Sequence, residues 1–293
     1  MPYIFLIFVV IFFAGNILIG KAINDLAPFT IAFFRLFVAF LVVLPVGLKS
    51  AWNNRELFLK YKKPFIIMSL TGVTFFNMFI YASLQFTTAS NVSVLETVIP
   101  VITILLSAWL LKERLRKIQW AGVILSVFGA VWVVLNGEVL QITTINWNIG
   151  DFIMVGAILC WAVYSIYVKQ YMHFFPSIAG LLVMTSISLI VLFPLVMMEW
   201  LFLGVPDLFQ SEYVVSLLYL GIFPSLIALL LYNHAVQKLG ASKASLFLNF
   251  LPVITMLGAY LWLGESITLI QIGGALLVIV GVIITTQVNY KSV

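Results

Sequence analysis

Read for hydropathy, the chain is a succession of apolar runs about as long as a bilayer is thick, separated by short polar breaks. A hydrocarbon core of about 30 Å takes roughly 20 residues of helix. Runs near residues 3–20, 29–47, 64–84, 92–111, 118–136, 150–168, 177–199, 213–235, 243–263 and 267–288 come close to that length. They are continuous rather than alternating, which predicts helices and not barrel strands. The expected fold class is therefore all-α and integral to the membrane, with ten transmembrane helices. The opening run, Tyr3 to Gly20, has no basic leader or small-residue cleavage site and reads as a retained first span.

Composition agrees. The 293 residues are 63% hydrophobic and 9% charged, far below the roughly one-quarter charge of a soluble domain. The formal charge of +5 could suggest nucleic acid, so the positions of the basic residues decide. With a cytoplasmic N-terminus, one set of loops carries Lys49, Arg55, Lys60, Lys62, Lys63, Lys112, Arg114, Arg116, Lys117, Lys169, Lys238 and Lys243, and the tail adds Lys291. The opposite loops carry Lys21 and the acidic Asp25, Glu138, Asp151, Asp207, Glu212 and Glu265. That is a positive-inside distribution, so both termini are expected in the cytoplasm, the lipid bilayer is the expected partner, and nucleic acid is not. The single cysteine, Cys160, lies within an apolar run and allows no intramolecular disulfide.

The chain also repeats itself. Ala89 onward reads ASNVSVLETVIPVIT and Ala241 onward reads ASKASLFLNFLPVIT, at a constant offset of 152 residues (252 − 100) that also pairs Glu113 with Glu265, Gln119 with Gln271, Gly122 with Gly274 and Gly129 with Gly281. Earlier in each half, Lys21 and Pro28 match Lys169 and Pro176 at an offset of 148 (176 − 28). We expect two five-helix repeats, residues 1–137 and 148–293. An odd number of spans per half inverts the second, and inverted repeats place a site near mid-membrane with two conformations related by exchange of the halves.

Phe13-Ala14-Gly15-Asn16, then Lys21, Pro28 and Arg35, resemble the opening of the drug/metabolite transporter superfamily, specifically its EamA branch. The Leu111-Lys112-Glu113-Arg114-Leu115 and Leu263-Gly264-Glu265-Ser266-Ile267 segments resemble its repeated helix pair, with Phe13 and Lys112 as departures from its usual Trp and Gly. The resemblance implies ten helices, both ends inside, and a secondary transporter exporting or exchanging a small metabolite, an amino acid or similar, by alternating access. A multidrug or other metabolite exporter is the alternative within that class. The expected location is a bacterial-type plasma membrane.

Two ionisable residues fall within spans, Arg35 and Glu96, at similar depths from the outer face, so an ion pair between them is one expectation. The functional alternative has Glu96 facing a central cavity, where it titrates or binds a substrate ammonium. Pro100 and Pro252, at equivalent repeat positions, are expected to kink their helices and shape that cavity. Asn16, Tyr81, Thr97, Trp161, Tyr164 and Asn249 complete the expected substrate-binding set; each taken singly is as readily interhelical packing. Arg35, Pro100 and Pro252 are assigned gating or structural roles. Gly122, Ser126 and Ala130 form a small-residue stripe for close packing, which a homodimer seam could also use. His173 and His234 have no metal-ligand spacing, and no catalytic residue, metal or cofactor is expected. A membrane-embedded enzyme or receptor is the reading from another class, and no phosphate-binding GxxxxGK[ST] loop is present.

Overall fold

The computed structural model describes residues 2–111, 116–135, 137, 148–239 and 247–287. Glu113 and its neighbours Lys112 and Arg114, together with Glu138, Lys243 and Lys291, lie outside the described residues. The described chain is helical. Eight helices are long and apolar enough to cross a membrane, followed by two shorter apolar ones. In order they are α1 Pro2–Ala22, α2 Pro28–Asn53, α3 Lys62–Leu84, α4 in two pieces (Ala89–Glu96 and Ile99–Leu111), α5 Lys117–Val134, α6 Ile149–Phe174, α7 Ser177–Leu203, α8 Ser211–Leu239, α9 Leu251–Leu263 and α10 Leu269–Gln287.

The interior is largely apolar, but so is the outer surface, as lipid solvation requires, and several strongly polar side chains are buried. Leu201, Phe202, Leu269 and Ile190 are exposed, while Arg35, Asn16, Asn77, Asn233 and Asn249 are buried. Local chemistry explains the helix ends. Pro28 opens α2, where its missing N–H costs nothing. The Thr88 hydroxyl accepts from Asn91 N at the start of α4, and Gly264 ends α9 at φ 68°, a left-handed conformation that suits glycine.

The helices alternate in direction, and side-chain contacts sort the loops into two ends. Lys21 donates to the carbonyls of Leu84 and Thr87, Asn148 to that of Phe86, and Tyr213 to Asp25, so these loops share one, largely acidic end. Phe58 and Tyr61 stack on Phe175 and Phe174 at the other, basic end. Helix α1 runs toward the acidic end and α6 away from it, so the second repeat is inverted.

The small residues of α5 face α10, not a second copy of the chain. A Cβ on Gly122 would stand 2.7 Å from the Gly281 carbonyl oxygen, and one on Gly129 would stand 2.9 Å from that of Gly274. The two helices cross at repeat-related glycines, so the stripe is consumed by the pseudo-two-fold seam inside the molecule. The opposite face, with Ile124, Phe128 and Leu276, is the one left exposed.

Two irregularities recur in both halves. Helix α4 breaks at Thr97–Val98 and resumes at Ile99; in the second half a turn at Asn249–Phe250 precedes Leu251. Pro100 and Pro252 are each the second residue of the resumed helix, where a missing N–H is tolerated. The prolines thus mark helix breaks rather than kinks in a continuous helix. Within α3, Ser69–Phe75 widens to a π-helix, and Phe223–Ala228 does the same in α8. Such bulges expose carbonyls and re-aim side chains, and they gather at functional sites.

Candidate functional site

The breaks and bulges surround a small cavity of about 50 Å3, space for a few waters. Its lining obeys the repeat. Phe13 faces its counterpart Trp161; Gly72, Val73 and Asn77 face Pro224, Ser225 and Leu229; Glu96 and Ile99 face Leu248 and Leu251. Arg35, Asn16, Leu36 and Phe76 complete it. Shape is two-fold but chemistry is not. Asn16, Arg35, Asn77 and Glu96 all belong to the first half, while among the described residues the second half adds the Ser225 hydroxyl and the Trp161 indole to the lining.

Arg35 organises the polar wall. Its Nη1 donates to Asn16 Oδ1 and Asn77 Oδ1, both at 2.7 Å, and to the Tyr81 hydroxyl; its Nε donates to Ser225 Oγ at 2.8 Å. Tyr81 Oη in turn donates to Asn16 Oδ1 at 2.8 Å. The π-helical segments position two of these acceptors. Asn77 is oriented by its amide donating to the Val73 carbonyl, and Ser225 donates its hydroxyl hydrogen to the Leu220 carbonyl, leaving its lone pairs for Arg35. A guanidinium in an apolar interior is costly unless its donors are met. Neutral oxygens from α1, α3 and α8 meet those of Nε and Nη1.

The expected Arg35–Glu96 ion pair does not form: Arg35 is turned to those oxygens, and Glu96 has no hydrogen-bond or ion-pair partner among the described residues. Glu96, half-buried, ends the first piece of α4 and lines the cavity. The cavity therefore presents a fixed cation and a carboxylate not joined to each other.

The other expected residues divide. Asn16 and Trp161 line the cavity, and Tyr81 stands behind it as a support for Arg35. The Thr97 hydroxyl is spent on the Val94 carbonyl in the broken turn. Tyr164 is buried against Gly72, where any Cβ would collide with its ring, so it lies outside the lining. Asn249 is buried between the lining residues Leu248 and Leu251 with neither amide atom partnered. Ser225 was missed by sequence reasoning. The available signal was Pro224-Ser225 in the middle of an apolar run, repeat-equivalent to Gly72-Val73.

The acidic end is stitched across the halves. Glu265, after α9, accepts from Ala89 N at 2.8 Å, Ser90 N at 3.2 Å and Ser90 Oγ at 2.8 Å, capping α4. Glu199 on α7 caps α2 in the same way, through Phe29 N, Thr30 N and Thr30 Oγ1. Asp151 accepts from Thr87 Oγ1, and Gln271 donates to Asn91. Toward the basic end, Gln119 Nε2 donates to the Thr285 carbonyl at 3.4 Å, and Ser188 Oγ lies 2.9 Å from Thr74 Oγ1 across the halves. Lys169, the repeat counterpart of the clasped Lys21, is exposed there.

Comparison with known proteins agrees with this architecture. The model of the EamA-like transporter family matches residues 1–135 and 148–287, once in each half. An uncharacterized transporter of Bacillus subtilis, YyaM, is 26% identical over 93% of this chain and 91% of its own. An uncharacterized transporter of Archaeoglobus fulgidus is 26% identical over 99% of this chain and 98% of its own. A solved crystal structure shares the fold, with a TM-score of 0.60 at 18% identity over 95% of this chain and 96% of that one. Two inverted repeats around one cavity, matched by the family model in both halves, make this multi-pass membrane protein a member of the EamA-like transporter family.

Proposed function

We propose that the protein is a secondary transporter for a small zwitterionic metabolite, an amino acid or similar, which it exports or exchanges by alternating access. On this reading the chain crosses the bacterial plasma membrane ten times, residues 1–137 and 148–293 forming the two repeats, with the basic end and both termini in the cytoplasm. One observation carries the substrate class: Arg35 and Glu96 line the same cavity without pairing. A substrate carboxylate suits the remaining edge of the guanidinium, and a substrate ammonium suits Glu96. Phe13, Phe76 and Trp161 with Leu229, Leu248 and Leu251 offer the apolar wall for a side chain.

Alternating access draws support from the acidic end, where two carboxylates of the second half, Glu265 and Glu199, cap helices of the first and so tie the halves together in this conformation. The cavity as it stands, about 50 Å3, is too small for an amino acid, so this conformation is contracted and loading requires the halves to part.

Uptake of a pooled library of amino acids, amines and organic acids into proteoliposomes, read by mass spectrometry, tests this. Saturable uptake of amino acids that Glu96→Gln abolishes is expected. Uptake confined to amphipathic cations would move the assignment to drug efflux, and uptake of acids unchanged by Glu96→Gln would refute the zwitterion reading.

A further inference from the structure

Two side chains that seal the acidic end recur at the basic end, where they are idle. Lys21, at the end of α1, donates to the Leu84 and Thr87 carbonyls, in and just after the last turn of α3, at 2.8 and 2.9 Å. Gln85, directly after α3, returns the contact: its Nε2 donates to the Asn24 and Leu26 carbonyls in the α1–α2 loop, at 2.5 and 3.2 Å. A cation and an amide thus bind the ends of α1 and α3 reciprocally. A helix end leaves carbonyls without intrahelical donors, and a lysine placed there also meets the negative end of the helix dipole.

The repeat carries both donors over. Lys21 corresponds to Lys169 near the end of α6 (169 − 21 = 148), and Gln85 to Gln237 in the last turn of α8 (237 − 85 = 152). Asn24, which also donates to the Leu84 carbonyl, becomes Met172, so polar character in this region is not kept wholesale. Because the acceptors are main-chain carbonyls, only the donors have to match, and the two donors with two acceptors each do.

In this conformation Lys169 and Gln237 are exposed, and neither makes a hydrogen bond or ion pair among the described residues. Helices α6 and α8 nevertheless meet at mid-membrane, with the Trp161 and Tyr232 rings 6.2 Å apart. Toward the basic end α8 packs instead on the start of α1, through His234 and Phe5 at 5.7 Å. A pivot about the Trp161–Tyr232 contact brings the ends of α6 and α8 together.

We propose that Lys169 and Gln237 are a latch for the basic end, the alternate of Lys21 and Gln85. When the acidic end opens, Lys169 donates to the Val236 and Leu239 carbonyls and Gln237 to those of Met172 and Phe174, the repeat counterparts of the carbonyls gripped here. One latch is closed in each conformation, so the two sets of bonds offset each other and neither conformation is trapped. The latch rests on the alternating-access reading, and the test separates the two.

Spin labels at Phe86 and Leu261, exposed near the acidic end, are placed in a Cys160→Ser, Glu265→Gln protein in proteoliposomes, and distances are read by double electron–electron resonance. Adding Lys21→Gln should raise the ratio of longer- to shorter-distance populations about 3- to 10-fold, and adding Lys169→Gln with Gln237→Leu should lower it by a similar factor, although those two residues lie at the other end of the molecule. Lys169→Arg, which keeps a cationic donor, should leave the ratio near its starting value. A lysine that only reached for lipid headgroups would give no such opposed pair of shifts. Absence of a longer-distance population in every variant would overturn the alternating-access reading and the latch with it. A population that Lys21→Gln raises, and that Lys169→Gln with Gln237→Leu leaves unchanged or raises as well, overturns the latch alone.

Discussion

Substituting Glu265 with glutamine should open the acidic end. The carboxylate accepts three hydrogen bonds from the first turn of α4, at 2.8, 3.2 and 2.8 Å, and its charge opposes the positive end of that helix. Glutamine is almost isosteric, but it keeps one acceptor oxygen and turns an NH2 group toward donors. Hydrogen bonds to a charged group contribute about 1.5–3 kcal/mol and neutral ones about 0.5–1.5 kcal/mol. For a half-buried carboxylate the net loss is about 1–2 kcal/mol, since solvent replaces part of what is lost. Because the contact joins the halves in this conformation and not in one open at that end, the loss falls on the conformational equilibrium. At about 1.4 kcal/mol per factor of ten, the open population rises roughly 5- to 30-fold. Spin labels at Phe86 and Leu261, both exposed near that end, in a Cys160→Ser background would report it by double electron–electron resonance. A longer-distance population should appear with Glu265→Gln. Identical distance distributions in the two proteins would show that the caps do not hold the end shut.

Other substitutions probe different parts of the same account. Arg35→Met leaves Asn16, Asn77, Tyr81 and Ser225 facing an apolar side chain, and should cost about 3–5 kcal/mol of stability, seen as a large fall in thermal midpoint. Arg35→Lys, which keeps the charge but has a single nitrogen for several acceptors, should fall between the two. Gly129→Val should destabilise by about 2–4 kcal/mol, because its Cβ would press on the Leu277 side chain at 2.8 Å and the Gly274 carbonyl at 2.9 Å; a well-folded variant by size-exclusion and melting would contradict the seam. Pro100→Ala and Pro252→Ala follow breaks already made, so they should leave the folded yield near normal while slowing uptake; equal loss of both would make the prolines purely structural.

Much of this architecture is legible in one dimension because lipid imposes it. A span must be apolar for a bilayer's thickness, its backbone must bond to itself, and loop charge orders the ends, so helix positions and the two-repeat plan follow from residue order alone. Repetition went further: the offsets that pair Pro100 with Pro252 and Gly129 with Gly281 also pair the helix breaks and the seam glycines. Direction around a helix axis is another matter. Arg35 and Glu96 share a depth, which sequence reveals, but whether they face each other depends on how α2 and α4 are rotated within the bundle. Packing turned Arg35 toward Asn16, Asn77, Tyr81 and Ser225, and left Glu96 unpaired in the cavity. Likewise Gly122 could equally have faced a second copy; only the assembled seam with Gly281 decided that it faces inward. Depth and periodicity are properties of the chain, whereas the partner of a buried polar group is set by every helix around it at once.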